Sequence, residues 1–166
     1  MGLSEPGTPG RADHAEAPAT PAQALAEAAA AAMLAGDRAS RALGIRLLEV
    51  SPWRAVLAMT VREDMVNGHG ICHGGLIFTL ADSAFALACN SRNHVTLAQA
   101  ADIVFVSPAR LGETLVATAV ERTSFGRNGV YDVSVRREGE DATVAEFRGR
   151  SREVAGTLVD PDRLPC

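Results

Sequence analysis

The stretch Asn67-Gly-His-Gly-Ile-Cys-His73-Gly74-Gly75-Leu-Ile-Phe-Thr-Leu-Ala-Asp82-Ser-Ala-Phe-Ala-Leu-Ala-Cys89-Asn90 decides the reading of this chain. From Leu76 to Cys89 almost every position is apolar, with no wet face at helical spacing, which predicts a helix buried on every side. One carboxylate, Asp82, interrupts it. A buried, unpaired Asp is costly and is retained where a partner or a reaction needs it. At the helix entrance, Gly74-Gly75 carries no side chains to hold a ligand away. Backbone N–H groups at the positive end of the helix dipole can then approach that ligand closely. The stretch thus encodes an oxyanion site and a carboxylate.

Working outward, the sequence on both sides of this helix reads as strands. Trp53, Ala55, Leu57, Met59 and Val61 share one face by period-two alternation, with Arg54, Thr60 and Arg62 among the residues opposite. Downstream, Thr96 to Val106, Thr114 to Arg122, Gly129 to Arg137 and Thr143 to Arg152 are four long candidates. Gly112, the Gly126-Arg-Asn-Gly129 segment and Gly139-Glu-Asp141 are the turns between them. These four follow one another through short connections, so they are expected to pair largely antiparallel as a meander. A long apolar helix inserted before such a meander belongs inside the curved face of the sheet. The fold class is α+β.

The N-terminal third is different in kind. Residues 1–19 mix Pro, Gly, Ala and isolated charges without periodicity and read as a disordered leader. Thr20-Pro21 has the form of an N-cap followed by Pro at the first helical position, and Gly36 is the stop. That Ala-rich helix is weakly amphipathic and is expected to lie loosely on the domain. A second, short helix spans 37–43 and ends at Gly44. Residues 20–43 thus form a helical extension, 44–155 the main domain and 156–166 a polar tail.

Composition bounds the function. The chain has 166 residues, 47% hydrophobic and 22% charged, which fits one ordinary globular domain. A net charge of −4 disfavours a nucleic-acid partner. Cys72, Cys89 and Cys166 are odd in number, and two lie in or beside the apolar helix, so no disulfide framework is expected. The apolar run from Ala28 to Ala35 is too short for a membrane span and lacks the basic flank of a signal peptide. A cytoplasmic protein without a membrane partner follows. The group His69, Cys72 and His73 invites a zinc reading, but it lacks the Glu of a metalloprotease helix and its glycines indicate a loop, so no metal is expected.

The run from Asn67 to Gly75, with Asp82 and later Cys89-Asn90-Ser91, resembles the PaaI-type thioesterases of phenylacetate degradation, within the hotdog-fold acyl-CoA thioesterases. The similarity spans roughly 44–156 and includes Ser107-Pro108, Leu111-Gly-Glu-Thr114, Gly129-Val-Tyr-Asp132 and Arg148-Gly-Arg-Ser151. The resemblance implies a hotdog fold and hydrolysis of acyl-CoA thioesters without a metal or other cofactor, coenzyme A being part of the substrate. It also implies a homodimer with shared active sites, assembled as a dimer-of-dimers tetramer. Its catalytic positions correspond to Asn67, His73, Gly74 and Asp82. Some relatives use a hydroxyl residue at the start of the next strand to hold water. Here the sequence is Ala98-Gln99-Ala100-Ala101, so Gln99 alone can serve.

Thioester hydrolysis needs a polarised carbonyl and a delivered water or carboxylate. Gly74 N–H meets the first need, since a donor aimed at a developing oxyanion is typically worth about 3 kcal/mol of barrier. Asp82 meets the second, as nucleophile or as general base, and the residues leave both routes open. His73 is expected to orient the glycine loop rather than transfer protons, and the Asn67 amide to orient water or thioester. Gly75 belongs to the same substrate-binding loop. The coenzyme A phosphates call for Arg, with candidates Arg127, followed by Asn128 and Gly129 as further substrate-binding positions, and Arg148 and Arg150. A hotdog hydratase or dehydratase would need a His base at the alpha or beta carbon, and a non-catalytic acyl-CoA sensor has no need of Asp82 and Asn67 together. Finally, Asp82 lies eight residues beyond Gly74, roughly 12 Å along one helix, which is too far for both to hold one carbonyl carbon. The donor and the carboxylate acting on one thioester must then come from different chains, with the two helices antiparallel across a two-fold axis.

Overall fold

The computed structural model describes residues 20–160 and Asp162; the leader expected over 1–19 lies outside the described residues. Helix α1 spans Pro21–Gly36, and the Thr20 hydroxyl caps it by accepting from Gln23 N–H at 3.2 Å. Helix α2 spans Arg38–Leu43, is capped by the Asp37 carboxylate and stops at Gly44, whose φ of +69° suits glycine. Helix α3 spans Gly74–Asn90. The strands are β1 (Arg46–Ser51), β2 (Arg54–Thr60), β3 (Thr96–Phe105), β4 (Thr114–Phe125), β5 (Asn128–Arg137) and β6 (Thr143–Glu153).

The six strands form one antiparallel sheet in the order β1-β2-β4-β5-β6-β3. The core fills the space between its inner face and α3. Ala55, Leu57 and Met59 of β2, Ala117 and Ala119 of β4 and Val133 and Val135 of β5 are buried there by period-two alternation. Because α3 touches all six strands, the sheet must curl around it, which is the expected hotdog architecture with its N-terminal helical extension. Gly149 of β6 makes room for that packing: a Cβ there would sit 2.8 Å from the Phe85 ring of α3.

Four expectations need correcting. The meander holds only for β4-β5-β6; β3 crosses to the far side and pairs with β6, because its own neighbour in sequence, β4, is taken by β2 and β5. Trp53 does not share the inner face. It sits in the β1–β2 turn at φ +65°, 43% exposed, with Arg92 over its ring and its backbone N–H donating to the Ser91 hydroxyl. Helix α1 is not loose: Ala26, Ala29 and Ala30 are buried, and Gln23 Nε2 donates to the Val50 carbonyl at 2.8 Å. Small alanines let α1 lie close, which a reading by amphipathicity undervalues. Nor is α3 buried on every side in the single chain, since Gly75, Thr79, Asp82, Ser83 and Ala86 form a stripe that is exposed or half-buried.

In the tail, Asn93 ties down the first residues past Gly156: its Oδ1 accepts from Leu158 and Val159 N–H, and its Nδ2 donates to the Val159 carbonyl.

Candidate active site

The first turn of α3 can be accounted for donor by donor. A helix start leaves several N–H groups without an intrahelical partner. Here His73 is the cap: its carbonyl accepts from Leu76 N–H at 2.9 Å and its ring Nδ1 accepts from Gly75 N–H at 3.1 Å. The Gly75 donor is therefore committed within the loop. Gly74 N–H has no hydrogen-bond partner among the described residues, and it lies at the positive end of a 17-residue helix.

The preceding loop is held by Asn67, whose Oδ1 accepts from His69 N–H at 2.9 Å and from Ile71 N–H at 3.5 Å. This is an Asx turn, and it leaves the amide NH2 of Asn67 without a partner among the described residues. Asn67 and Gly74 line one cavity of about 510 Å³, together with Ile77 and the segment 105–109. The Phe105 ring closes over Gly74: a Cβ at position 74 would lie 3.0 Å from its Cζ. Phe105 lies 31 residues away in the sequence, and nothing local there marks the contact.

Asp82 occupies the middle of α3 and opens into a different cavity, of about 480 Å³, walled by α1, α2 and the half-exposed stripe of α3. No hydrogen bond or ion pair reaches its carboxylate among the described residues, and partial burial raises its pKa above the ordinary carboxylate value. It is half-buried in the single chain, where full burial was expected. Gln99 stands at a β-bulge on the exposed edge strand β3, where the register shifts between Ala98 and Ala100. Arg127, Asn128 and Gly129 line a third, polar cavity of about 120 Å³ beside Cys89 and Arg92, at the C-terminal end of α3. Asn128 and Gly129 open β5 rather than forming the turn. Arg148 and Arg150 are engaged on the outer face of the sheet, Arg148 with both Asp132 oxygens and Arg150 with Asp102 at 3.1 Å.

One chain thus brings Asn67, His73 and Gly74 together, places Asp82 along the same rigid helix in another cavity, and sets Arg127 at its far end. His69, Cys72 and His73 do not converge, and among the described residues no group of three metal-ligating side chains does. No described helix is long and apolar enough to cross a membrane.

Comparison with known proteins converges on the same elements. The profile of the thioesterase superfamily matches residues 69–144, from the α3 entrance through β5. The acyl-coenzyme A thioesterase PaaI of Escherichia coli is 44% identical over 127 residues, which are 76% of this chain and 90% of that one. The structure of the E. coli PaaI protein from the phenylacetic acid degradation operon superposes with a TM-score of 0.78, covering 80% of this chain and 96% of that one. A mutant of the phenylacetic acid degradation protein PaaI from Thermus thermophilus is 38% identical with a TM-score of 0.67, covering 71% of this chain and 100% of its own. A Streptococcus mutans protein solved with bound acetyl CoA shares the fold at 21% identity and a TM-score of 0.65, covering 68% of this chain and 90% of its own. With that profile match and with likeness to PaaI over most of its length, the chain belongs to the thioesterase superfamily.

Proposed function

We propose that the protein hydrolyses acyl-CoA thioesters to a carboxylic acid and coenzyme A, with aromatic acyl groups of the phenylacetyl type as substrates. The observation that carries this reading is the pair of half-sites on α3. Among the described residues, one is an N–H donor with no partner, the other a carboxylate with no partner, and each is open to a cavity. The thioester oxygen accepts from Gly74 N–H, which stabilises the negative charge that builds as the carbonyl carbon becomes tetrahedral. Asp82 either takes a proton from the attacking water or attacks the carbonyl itself. In the first route water oxygen bonds to carbon, the C–S bond breaks and the thiolate of coenzyme A leaves. In the second an Asp82 oxygen bonds to the carbonyl carbon, the C–S bond breaks and the thiolate of coenzyme A leaves, and water then hydrolyses the resulting anhydride to the acid and free Asp82. His73 holds the glycine loop, and Asn67 orients the water through its amide NH2.

Since about 12 Å of helix separates Gly74 from Asp82, each site takes its donor from one subunit and its carboxylate from the other. A two-fold dimer with antiparallel α3 helices supplies both sites at once. The stripe of α3 left half-open in the single chain is the face such a dimer would cover.

Thiol release from a panel of aryl and alkyl acyl-CoAs tests the activity, with Asp82→Ala as the control. No release from any member would refute it. Mixed dimers of Asp82→Ala and Gly74→Val chains test the shared site. Each homodimer is expected to be inactive, while the mixed dimer recovers up to one working site in two. A verified mixed dimer without activity would place the site within one chain. A single turnover in heavy-oxygen water separates the chemical routes, because label enters Asp82 only if the anhydride forms.

A further inference from the structure

The strand order imposes a crossing on the chain. Strand β3 ends at the sheet edge beside β6, whereas β4 begins further in, between β2 and β5, so the connecting segment 106–113 runs over the ends of β6 and β5. Residues at those two ends hold it down. At the start of β6, the Thr143 carbonyl accepts from the Ser107 hydroxyl at 2.6 Å and the Val144 carbonyl from Val106 N–H at 2.8 Å. Arg137, the last residue of β5, donates from Nε to Glu113 Oε2 at 3.0 Å. One of its terminal nitrogens donates to the Pro108 carbonyl at 2.6 Å and to the Ser107 hydroxyl at 3.4 Å. No other donor among the described residues reaches that carbonyl. The same Glu113 oxygen accepts from Arg110 N–H at 2.9 Å. A single half-buried ion pair thus closes the segment on itself and fastens both its halves to β5.

What this segment carries is one wall of the donor half-site. Its Ala109 carbonyl accepts from Cys72 N–H at 2.8 Å, two residues before Gly74. Phe105, from which it departs, closes its ring over Gly74, and residues 105–109 line the same cavity as Asn67 and Gly74. The Gly74 N–H is bracketed by one segment, with a backbone bond just before it and an aromatic ring against it.

We infer that Arg137 and Glu113 are positioning residues for the Gly74 donor, acting through segment 106–113 without touching substrate. The inference rests on the thioesterase reading given above. An Arg suits the task because its planar fork reaches a carboxylate and a carbonyl at once, which an ammonium group does not.

Three variants test it. Arg137→Gln removes the fork, Glu113→Gln removes the charge and keeps the shape, and Arg137→Lys restores the charge without the fork. Amide hydrogen exchange followed by NMR needs no substrate. Cys72 N–H is expected to exchange about tenfold faster in the two Gln variants, while the core amides of Leu57 and Val133 keep their wild-type rates. With phenylacetyl-CoA, kcat is expected to fall roughly tenfold, within the about 10²-fold that a 1 Å misplacement can cost, with KM changed less than about twofold. Arg137→Lys falls between wild type and Arg137→Gln in both measurements. In a Gly74→Val chain the donor is already displaced, so adding Arg137→Gln costs less than about twofold more, whereas a merely structural residue adds its full loss. Wild-type exchange at Cys72 in both Gln variants overturns the inference. So do exchange that quickens equally at Leu57 and Val133, a KM change that accounts for the lost activity, and full additivity with Gly74→Val. If Cys72 alone quickens while the wild-type protein hydrolyses no acyl-CoA, the tether on the donor loop stands and the thioesterase reading falls.

Discussion

The first turn of α3 and its middle each leave a polar group open, and they do so in opposite ways. At the first turn the open group belongs to the backbone: the His73 ring takes Gly75 N–H and the His73 carbonyl takes Leu76 N–H, while Gly74 N–H has no partner among the described residues. In the middle a lone side chain, Asp82, faces a chamber with no partner at all among the described residues. A donor set by the backbone is rigid and is lost only by displacing the loop. A carboxylate can be erased by exchanging one atom. The two places should therefore respond very differently to substitution, and the contrast can be broken or sharpened by experiment.

The largest effect is expected in the middle. On the proposed reaction, Asp82→Asn keeps shape and removes the group that would act as base or nucleophile, so kcat is expected to fall roughly 10³-fold with an unchanged circular dichroism spectrum. Near-wild-type thiol release would remove Asp82 from the chemistry. At the first turn, Gly74→Val pushes a side chain into the Phe105 ring, already 3.0 Å from a Cβ, and shifts the N–H. A loss of roughly 10²-fold is expected, in kcat more than in acyl-CoA affinity. Equal losses in both would make Gly74 a matter of access. His73→Ala is milder still. It deprives Gly75 N–H of its acceptor, lowering stability by about 1 kcal/mol in a denaturant titration, the usual cost of a missing cap.

The smallest effect is thermal, and here the sign matters. Burial raises the Asp82 pKa above its ordinary value of 3.8, so the folded protein binds this proton more readily than the unfolded chain does. The charged form is penalised only in the fold. Asp82→Asn should therefore raise Tm at pH 7, and the gain should fade as pH falls through the raised folded-state pKa, to vanish by the ordinary carboxylate value. A gain that grows in acid would mean that Asp82 has a favourable partner.

How much of this was legible in the sequence depends on the range of the contacts involved. Helix α3, its glycine entrance, its carboxylate and the strand positions are set by local periodicity, and a one-dimensional pattern carries them. Trp53 follows the same period-two pattern and still leaves the core, because a tight turn with positive φ overrides alternation. The place of β3 beside β6 depends on which strand edges remain open once the others have paired, and no local pattern reports that. The same limit hides Phe105 over Gly74, and it hides the ion pairs that occupy Arg148 and Arg150. The open stripe of α3 escapes the pattern too, because a small or apolar residue looks alike whether its own chain or a partner covers it.

The strand order also has a consequence for synthesis. Strand β3 leaves the ribosome before β4, β5 and β6, yet its hydrogen-bonding partner in the sheet is β6, the last strand to be made. About fifty residues separate the end of β3 from the end of β6, which at 5–20 residues per second is roughly 3–10 s of translation. Through that interval Leu97, Val104 and Phe105, which stay exposed even in the finished chain, belong to a strand whose backbone donors and acceptors are unmatched. A nascent chain stalled before Thr143 should therefore be a good client for chaperones that hold extended apolar segments, and one released past Glu153 a poor one.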